Sequence, residues 1–259
     1  MLNEQGAMPE KPVEPKPAAT IILLRDGDDG LEVLVLRKAS GKHFAAGAMV
    51  FPGGKVADED LAFAEARGTA SDKFEVLRTA AVREMHEECS IMLARPAGEA
   101  DILDAAQVEA LGGGAILDLA ESASLDLATD QLVRFAHWIT PPYRPKRFDT
   151  HFFIAPAPEG QREPKVDGYE IVEARWRRPG DILEDVHEGR LKLVLPTMMN
   201  IIKLSRSESV GEALRAAKRA TINPVTPTRV ETENGVELHL PDDSGYGITK
   251  VPSEYLRSA

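Results

Sequence analysis

Apolar residues recur along the chain with two periods, one typical of strands and one typical of helices. Runs rich in β-branched and aliphatic residues, bounded by turn residues, predict strands. These runs are 20–25, 31–37, 49–51, 133–140, 148–155 and 170–176. The first two are joined by 26–30 (DGDDG), which predicts a hairpin. The third ends at 52–54 (PGG), a tight turn in which the backbone can approach a ligand closely.

The longest helical period runs through 75–91 (EVLRTAAVREMHEECSI), where apolar residues at 82, 85 and 89 define one face. Glu84, Glu87 and Glu88 fall at i, i+3 and i+4, so they share a different face. Three carboxylates so close repel one another, and a bound cation is the most economical reason to keep them together. A solvated acidic helix is the alternative, and this motif alone leaves both readings open.

Shorter helical segments surround this helix. They are expected between 55 and 74, at 101–110, at 115–123, at 179–188, and as one or two helices over 196–219. Two last strands, 228–233 and 236–240, are joined by Asn234-Gly235 and predict a hairpin. Strands come first, a long helix lies in the middle, and strands and helices follow. This order predicts an α+β fold with a mixed sheet and not regular βαβ winding.

Charge and cysteine content narrow the function classes. The net charge of −11 argues against a nonspecific nucleic-acid binder, because phosphate backbones are held by basic surfaces. The single cysteine, Cys89, excludes an intramolecular disulfide framework and suits a reducing compartment; its place on the apolar face indicates core packing and not a nucleophile. No apolar run reaches the ~18 residues of a membrane span, so a cytoplasmic protein without membrane contact is expected.

Composition also divides the chain. Residues 1–17 contain four prolines among charged residues and predict a disordered tail, with order beginning near Ala18. Residues 18–259 are expected to form one domain, in which the acidic stretch 98–130 is a helical insertion and 206–259 is a C-terminal extension. The insertion and the last hairpin are candidate surfaces for a homodimer.

Gly54, Glu75 and 83–91 (REMHEECSI) resemble the signature of the Nudix hydrolases. That signature is a Gly, five residues, a Glu, seven residues, then Arg-Glu-apolar-x-Glu-Glu-x-Gly-apolar. The spacing from Glu75 to Arg83 fits, and so does each position from Arg83 to Glu88. There are two departures: twenty residues separate Gly54 from Glu75, and Ser90 stands at the glycine position.

The resemblance implies a Nudix α/β/α sandwich and a role for each residue of the box. Glu84, Glu87 and Glu88 would bind Mg²⁺ or Mn²⁺, joined by the Gly53 carbonyl, and Glu84 and Glu87 would be catalytic. Arg83 and Glu75 would form a structural ion pair, and Gly54 would be structural.

Other residues would complete the site of a nucleotide diphosphate hydrolase. The general base would be a box glutamate or a glutamate on a later loop, where Glu170 is our first choice and Glu173 the other candidate. The rest of a small-molecule anionic substrate needs basic groups. The candidates are Arg37, Arg144, Lys146 and Arg147.

Three segments outside the box, together with the long insert, resemble the Nudix subgroup that includes peroxisomal coenzyme A diphosphatases. They are 138–141 (WITP), 147–153 (RFDTHFF) and 196–200 (PTMMN). This resemblance implies hydrolysis of coenzyme A or acyl-CoA to 3',5'-ADP and 4'-phosphopantetheine. ADP-ribose or another dinucleotide is the alternative substrate. A Nudix domain that binds its ligand without turnover is a further alternative, and Ser90 is its best support because a left-handed backbone strains a non-glycine residue.

Overall fold

The computed structural model describes residues 12–40, 46–161, 163–166, 168–233 and 235–251. Its strands are β1 (Lys16–Gly27), β2 (Gly30–Lys38), β3 (Met49–Val50), β4 (Gly53–Lys55), β5 (Ala94–Pro96), β6 (Leu125–Leu127), β7 (Val133–Ile139), β8 (Phe148–Pro156), β9 (Ile171–Arg177), β10 (Pro224–Val225), β11 (Thr228–Thr232) and β12 (Gly235–His239). Its α-helices are α1 (Asp58–Ala66), α2 (Lys73–Cys89), α3 (Ala105–Leu111), α4 (Ile116–Ser122), α5 (Pro179–His187), α6 (Leu195–Leu204) and α7 (Val210–Arg219).

A mixed sheet of eight strands forms the centre of the fold. Its order is β10-β7-β8-β1-β2-β3, with β4 added to β1 and β9 added to β2. The β1–β8 and β10–β7 pairs are parallel, whereas the other pairs of this sheet are antiparallel. Along β1, Ile21 and Leu23 point to one face and Ile22 and Leu24 to the other, and all four are fully buried. Such a run, apolar on both faces, is typical of a strand covered on both sides.

Two apolar clusters, one on each face of the sheet, explain the layers. Helices α1, α2 and α4 contribute to the first cluster with Ile21 and Leu23, and helices α5, α6 and α7 contribute to the second with Ile22 and Leu24. The sheet therefore lies between two helical layers, which confirms the predicted α+β sandwich with a mixed sheet.

The observed bounds correct several of the expected ones. Strand β1 begins at Lys16, inside the predicted tail, because Lys16 and Pro17 pair with Phe148 and Asp149 of β8. Residues 1–11 and Asn234 of the predicted last turn lie outside the described residues. The stretch 196–219 forms two helices, α6 and α7. Residues 101–104 of the expected insertion helix are not helical, because Asp104 caps α3.

Helix α2 is fixed at both ends by local chemistry. The Asp72 side chain accepts a hydrogen bond from the Phe74 N–H, as expected for an N-cap. At the other end Ser90 adopts a left-handed conformation (φ 57°, ψ 19°), and its N–H bonds to the His86 carbonyl. Val82, Met85 and Cys89 are completely buried toward the sheet. No helix in the described ranges is long and apolar enough to cross a membrane.

Candidate active site

The glycine turn before β4 packs directly against the acidic face of α2. The Gly53 N–H donates to Oε2 of Glu88 at 2.9 Å. A Cβ placed on Gly54 would lie 2.3 Å from Oε1 of Glu84, and one on Gly53 would lie 2.5 Å from the Ala19 carbonyl oxygen. Neither position has room for a side chain, so both glycines allow the backbone to reach the carboxylates.

Glu88 is the buried member of the acidic face, with 8% of its surface exposed. Burial raises its pKa to about 8, while the Gly53 N–H and the nearby Lys38 charge act in the opposite direction. Glu84 and Glu170 are close enough to raise this pKa further. Glu88 therefore lies in a pocket where its negative charge is incompletely compensated by the protein.

Glu84 and Glu87 share one partner. Nη1 of Arg83 donates to Oε1 of Glu84 and to Oε2 of Glu87, both at 3.0 Å. Burial raises the pKa of Glu84, and the Arg83 charge opposes that rise. The Glu87 side chain is 44% exposed, so the acidic face opens to solvent on this side.

The expected ion pair between Arg83 and Glu75 is wrong. Arg83, 5% exposed, donates from Nε and Nη2 to the two carboxylate oxygens of Asp60 at 2.8 and 3.0 Å. Glu75 instead accepts from Oγ1 of Thr129 at 2.5 Å and from Nη1 of Arg78 at 3.5 Å. Glu75 and Arg83 lie eight residues apart on one helix, a rise of about 12 Å, and Arg83 faces α1.

Asp60 is the site residue that the sequence reasoning missed. Its side chain is fully buried, and it also accepts a hydrogen bond from the Ala57 N–H at 2.8 Å. Five residues separate it from Gly54, which is the signature's own spacing from glycine to acid. The residues that this chain has in excess of the signature therefore lie between Asp60 and Arg83. The five-residue spacing from Gly54 was the signal that would have identified Asp60.

Glu170 and Glu173 both face basic residues at the end of β2. Nζ of Lys38 donates to Oε1 of Glu170 at 2.8 Å, and the Glu170 side chain is 61% exposed. Nε of Arg37 donates to Oε2 of Glu173 at 2.6 Å, and this bond lowers the pKa of Glu173. The charge of Glu170 contributes to the raised pKa of Glu88, so Glu170 borders the acidic face. Lys38 also lies there, and the sequence reasoning had not singled it out.

The basic cluster of the β7–β8 connection has a different environment. Arg147 donates from Nε to the Thr140 carbonyl at 2.9 Å and from Nη1 to the Val13 carbonyl at 2.7 Å. Arg144 and Lys146 are exposed. In the described part of the chain, the hydrogen bonds of Arg147 lead to Thr140 and Val13 and not to the acidic face. The roles of Arg144, Lys146 and Arg147 in substrate binding stay predictions.

The segments 138–141 and 196–200 are linked on the opposite face of the sheet. Nε1 of Trp138 donates to the Tyr246 hydroxyl at 2.7 Å, and that hydroxyl donates to Oδ1 of Asn200 at 2.7 Å. All three side chains are buried, and Trp138 and Tyr246 belong to the cluster under α5, α6 and α7. These positions therefore join the C-terminal extension to the sheet.

The remaining residues of the box are accounted for by packing. Ser90 Oγ donates to the Lys165 carbonyl at 3.1 Å, which ties the end of α2 to a later loop. Cys89 is fully buried and burial raises its pKa to about 12, in agreement with a packing role. His86 lies 3.2 Å from the Gly114 carbonyl oxygen through Nε2. His43 lies outside the described residues.

The donor set on α2 suits a hard divalent cation. Mg²⁺ and Mn²⁺ take carboxylate and carbonyl oxygens, and they bind where negative charge lacks a full partner. Glu84, Glu87 and the buried Glu88 supply three such carboxylates beside a glycine turn that leaves room for them. The residues present therefore fit the expected metal, although the ligand roles, including that of the Gly53 carbonyl, stay predictions.

An α/β/α sandwich that presents a three-carboxylate helix beside a Gly-Gly turn is the arrangement expected of a metal-dependent hydrolase. The family model described as NUDIX domain matches residues 14–197, which is most of the chain. The chain belongs to the Nudix family, and it is a Nudix hydrolase. Nudix hydrolases generally use divalent metal ions.

Two relatives give the scale of the similarity. The Caenorhabditis elegans protein named "Putative nudix hydrolase 7" is 26% identical over 222 residues, covering 83% of this chain and 69% of its own length. A NUDIX hydrolase from Alicyclobacillus acidocaldarius with a crystal structure is 29% identical in sequence, and the two structures superpose with a TM-score of 0.68. The match covers 78% of this chain and 96% of the Alicyclobacillus chain.

Proposed function

We propose that this Nudix hydrolase cleaves the diphosphate linkage of coenzyme A or an acyl-CoA, giving 3',5'-ADP and 4'-phosphopantetheine. The observation that carries the diphosphate chemistry is the carboxylate face of α2, closed on its inner side by Gly53 and Gly54. The segments 138–141, 147–153 and 196–200 support the choice of coenzyme A by their resemblance to the coenzyme A diphosphatase subgroup.

The acidic face would hold Mg²⁺ or Mn²⁺ through Glu84, Glu87 and Glu88. A bound divalent ion neutralises phosphate charge and lowers the pKa of a coordinated water. Arg83 positions two of these carboxylates, since its Nη1 contacts both Glu84 and Glu87. Asp60 in turn holds Arg83.

Glu170 is the proposed general base. It borders Glu88, it is largely exposed, and its carboxylate is held by Lys38 at 2.8 Å. A base must lie within hydrogen-bond reach of the attacking water, directly or through one further water. Glu170→Gln is therefore expected to lower kcat by about 10²- to 10⁴-fold and to leave the affinity for Mg²⁺ nearly unchanged.

Coenzyme A carries a 3'-phosphate that ADP-ribose lacks, and this group needs a cation. Arg37, Arg144 and Arg147 are the proposed contacts to the anionic groups of the substrate. Arg144 is the best candidate for the 3'-phosphate, because it is exposed on the β7–β8 connection beside Lys146. Charge-assisted contacts of arginine with phosphate are strong when they are bidentate.

The test is a panel assay of the purified protein with Mg²⁺ or Mn²⁺. The substrates are coenzyme A, acetyl-CoA, 3'-dephospho-CoA, ADP-ribose, NADH and diadenosine polyphosphates, with products identified by mass. Coenzyme A or acetyl-CoA is expected to have the highest kcat/KM. A higher kcat/KM for ADP-ribose would move the assignment to that substrate.

Two variants make the assay specific. Glu87→Gln is expected to lower kcat by orders of magnitude, whereas Glu184→Gln, an exposed glutamate on α5, is the matched control without effect. Arg144→Gln is expected to raise KM by up to about fivefold for coenzyme A but not for 3'-dephospho-CoA. Equal effects on both substrates would remove Arg144 from the 3'-phosphate site.

A further inference from the structure

Two histidines and an aspartate meet on strands β7 and β8, away from the acidic face. His137 lies directly opposite His151 in the antiparallel ladder, and Asp149 lies two residues before His151 on the same side of β8. One possible ligand atom from each residue lies within 4.8 Å of the others. This group, His137, Asp149 and His151, is called the His-Asp-His cluster below.

A β-bulge creates the cluster. The register of β7 against β8 shifts between Arg134 and Ala136. With the register that pairs Val133 with Ile154, His137 would oppose Thr150, whose side chain points to the other face of the sheet. The extra residue in β7 brings His137 opposite His151 instead. Bulges commonly redirect a side chain in this way next to functional sites.

The three side chains lie close enough together to share one ion. The rings of His137 and His151 stack with centroids 3.9 Å apart and planes 17° apart, so the two imidazoles lie side by side. Asp149 Oδ1 contacts Nε2 of His137 and lies 3.9 Å from Nε2 of His151. The His151 side chain is 7% exposed and that of Asp149 37%, so the cluster is buried on the His151 side and open to solvent on the Asp149 side.

The surroundings select the class of ion. Phe74 makes a T-shaped contact with His151, with ring centroids 5.5 Å apart, and provides an apolar wall. Lys73 and Arg134 bring positive charge near the cluster, which disfavours a hard cation held only by charge. Neutral imidazoles with one carboxylate are instead the donors of Zn²⁺, Co²⁺ and Fe²⁺.

We propose that the His-Asp-His cluster is a second metal site, which binds a divalent transition ion such as Zn²⁺ through His137, His151 and Asp149. It is distinct from the acidic face, because Phe74 and Glu84 are ten residues apart on α2, a rise of about 15 Å. A bound ion would join β7 to β8 under the first turn of α2, and a solvent molecule would complete its coordination.

The experiment uses the full chain without a histidine tag, titrated with Co²⁺ and followed by visible absorption. Glu87→Gln/Glu88→Gln is the background, so that the acidic face contributes little. A site of low coordination number with imidazole ligands gives intense visible bands, whereas six oxygen ligands give weak ones. We expect intense bands at one equivalent of Co²⁺, displaced by Zn²⁺ and not by excess Mg²⁺.

Variants decide which residues bind the ion. His137→Gln and Asp149→Asn, both at partly exposed positions, are expected to weaken Zn²⁺ binding more than about tenfold. His187→Gln, an exposed histidine on α5, is the matched control and should bind as the parent does. Weak bands only, or intense bands that survive both His137→Gln and Asp149→Asn in folded protein, would overturn the proposal.

Discussion

Replacing Asp60 by asparagine tests which acid holds Arg83. In the folded protein the Asp60 carboxylate accepts three hydrogen bonds, two from Arg83 and one from the Ala57 N–H. Asparagine keeps one acceptor oxygen, but its amide group would face a donor of Arg83 or of Ala57. The variant therefore loses a buried negative charge and at least one charge-assisted hydrogen bond.

The size of the effect follows from burial. Breaking a buried ion pair by removing one partner costs roughly 3 to 5 kcal/mol. Arg83 keeps Glu84 and Glu87 as partners, so we expect the lower end, a loss of about 3 kcal/mol in the free energy of unfolding. Without Asp60 the guanidinium should move toward Glu84 and Glu87 and compete with the cation. The apparent affinity for Mg²⁺ should then fall about tenfold.

Glu75→Gln is the matched control, because Glu75 is the acid that the linear signature favours. Its side chain is 24% exposed, its arginine partner, Arg78, lies 3.5 Å away, and a glutamine oxygen can still accept the bond from Thr129, so the expected loss is below about 1 kcal/mol. Urea unfolding with an unchanged m-value gives the stability of both variants, and the Mg²⁺ dependence of hydrolysis gives the affinity. If Glu75→Gln lowered the free energy of unfolding as much as Asp60→Asn does, the pairing of Arg83 with Asp60 would be refuted.

Three further predictions concern Glu88, Tyr246 and Ser90. In metal-free protein, burial raises the pKa of Glu88 from 4.5 to about 8. The preference of the folded state for the neutral Glu88 side chain therefore contributes fully to the free energy of unfolding below pH 4.5, and this contribution is lost as the pH rises through 8. Urea unfolding in EDTA should show this decline, and Glu88→Gln should flatten it; an identical profile in the variant would contradict the assignment. Tyr246→Phe leaves buried Trp138 and Asn200 groups without their partner, so unfolding should cost about 2 kcal/mol less, with KM for coenzyme A unchanged; a raised KM at unchanged stability would instead indicate substrate contact. Ser90→Gly should raise the unfolding free energy by about 0.5 kcal/mol, because relief of the left-handed strain exceeds the loss of one exposed hydrogen bond; a destabilised variant would show that the bond to Lys165 dominates.

Hydrophobic periodicity was sufficient for six of the eight strands of the sheet and for α2, whereas the short strands β4 and β10 were not predicted. Strands buried on both faces, such as β1 and β2, and a helix with an apolar face at 82, 85 and 89 have patterns that depend only on local sequence. The acidic residues of α2 are also brought together by helical spacing alone. These parts were predictable because their geometry is set within one element.

Contacts between elements were not predictable in the same way. The His-Asp-His cluster depends on a bulge at Phe135, and a shift of one residue would place His137 on the other face. The link from Trp138 to Asn200 passes through Tyr246, 108 positions from Trp138 along the chain. Nothing in the local pattern around Tyr246 marks it as the partner of either.

The spacing of the box residues in this chain shows which contact constrains the geometry of the acidic face. Gly54 and Asp60 are separated by five residues because β4 and the first turn of α1 must set the acid beside α2. Helix α2 fixes the relative positions of Arg83 and the three glutamates 84, 87 and 88. Between Asp60 and Arg83 the chain carries twenty-two residues instead of seven, and lengthening a loop threefold costs only about 1 kcal/mol of closure entropy. The buried Asp60–Arg83 contact, and not the number of residues between the two, therefore preserves the geometry of the acidic face.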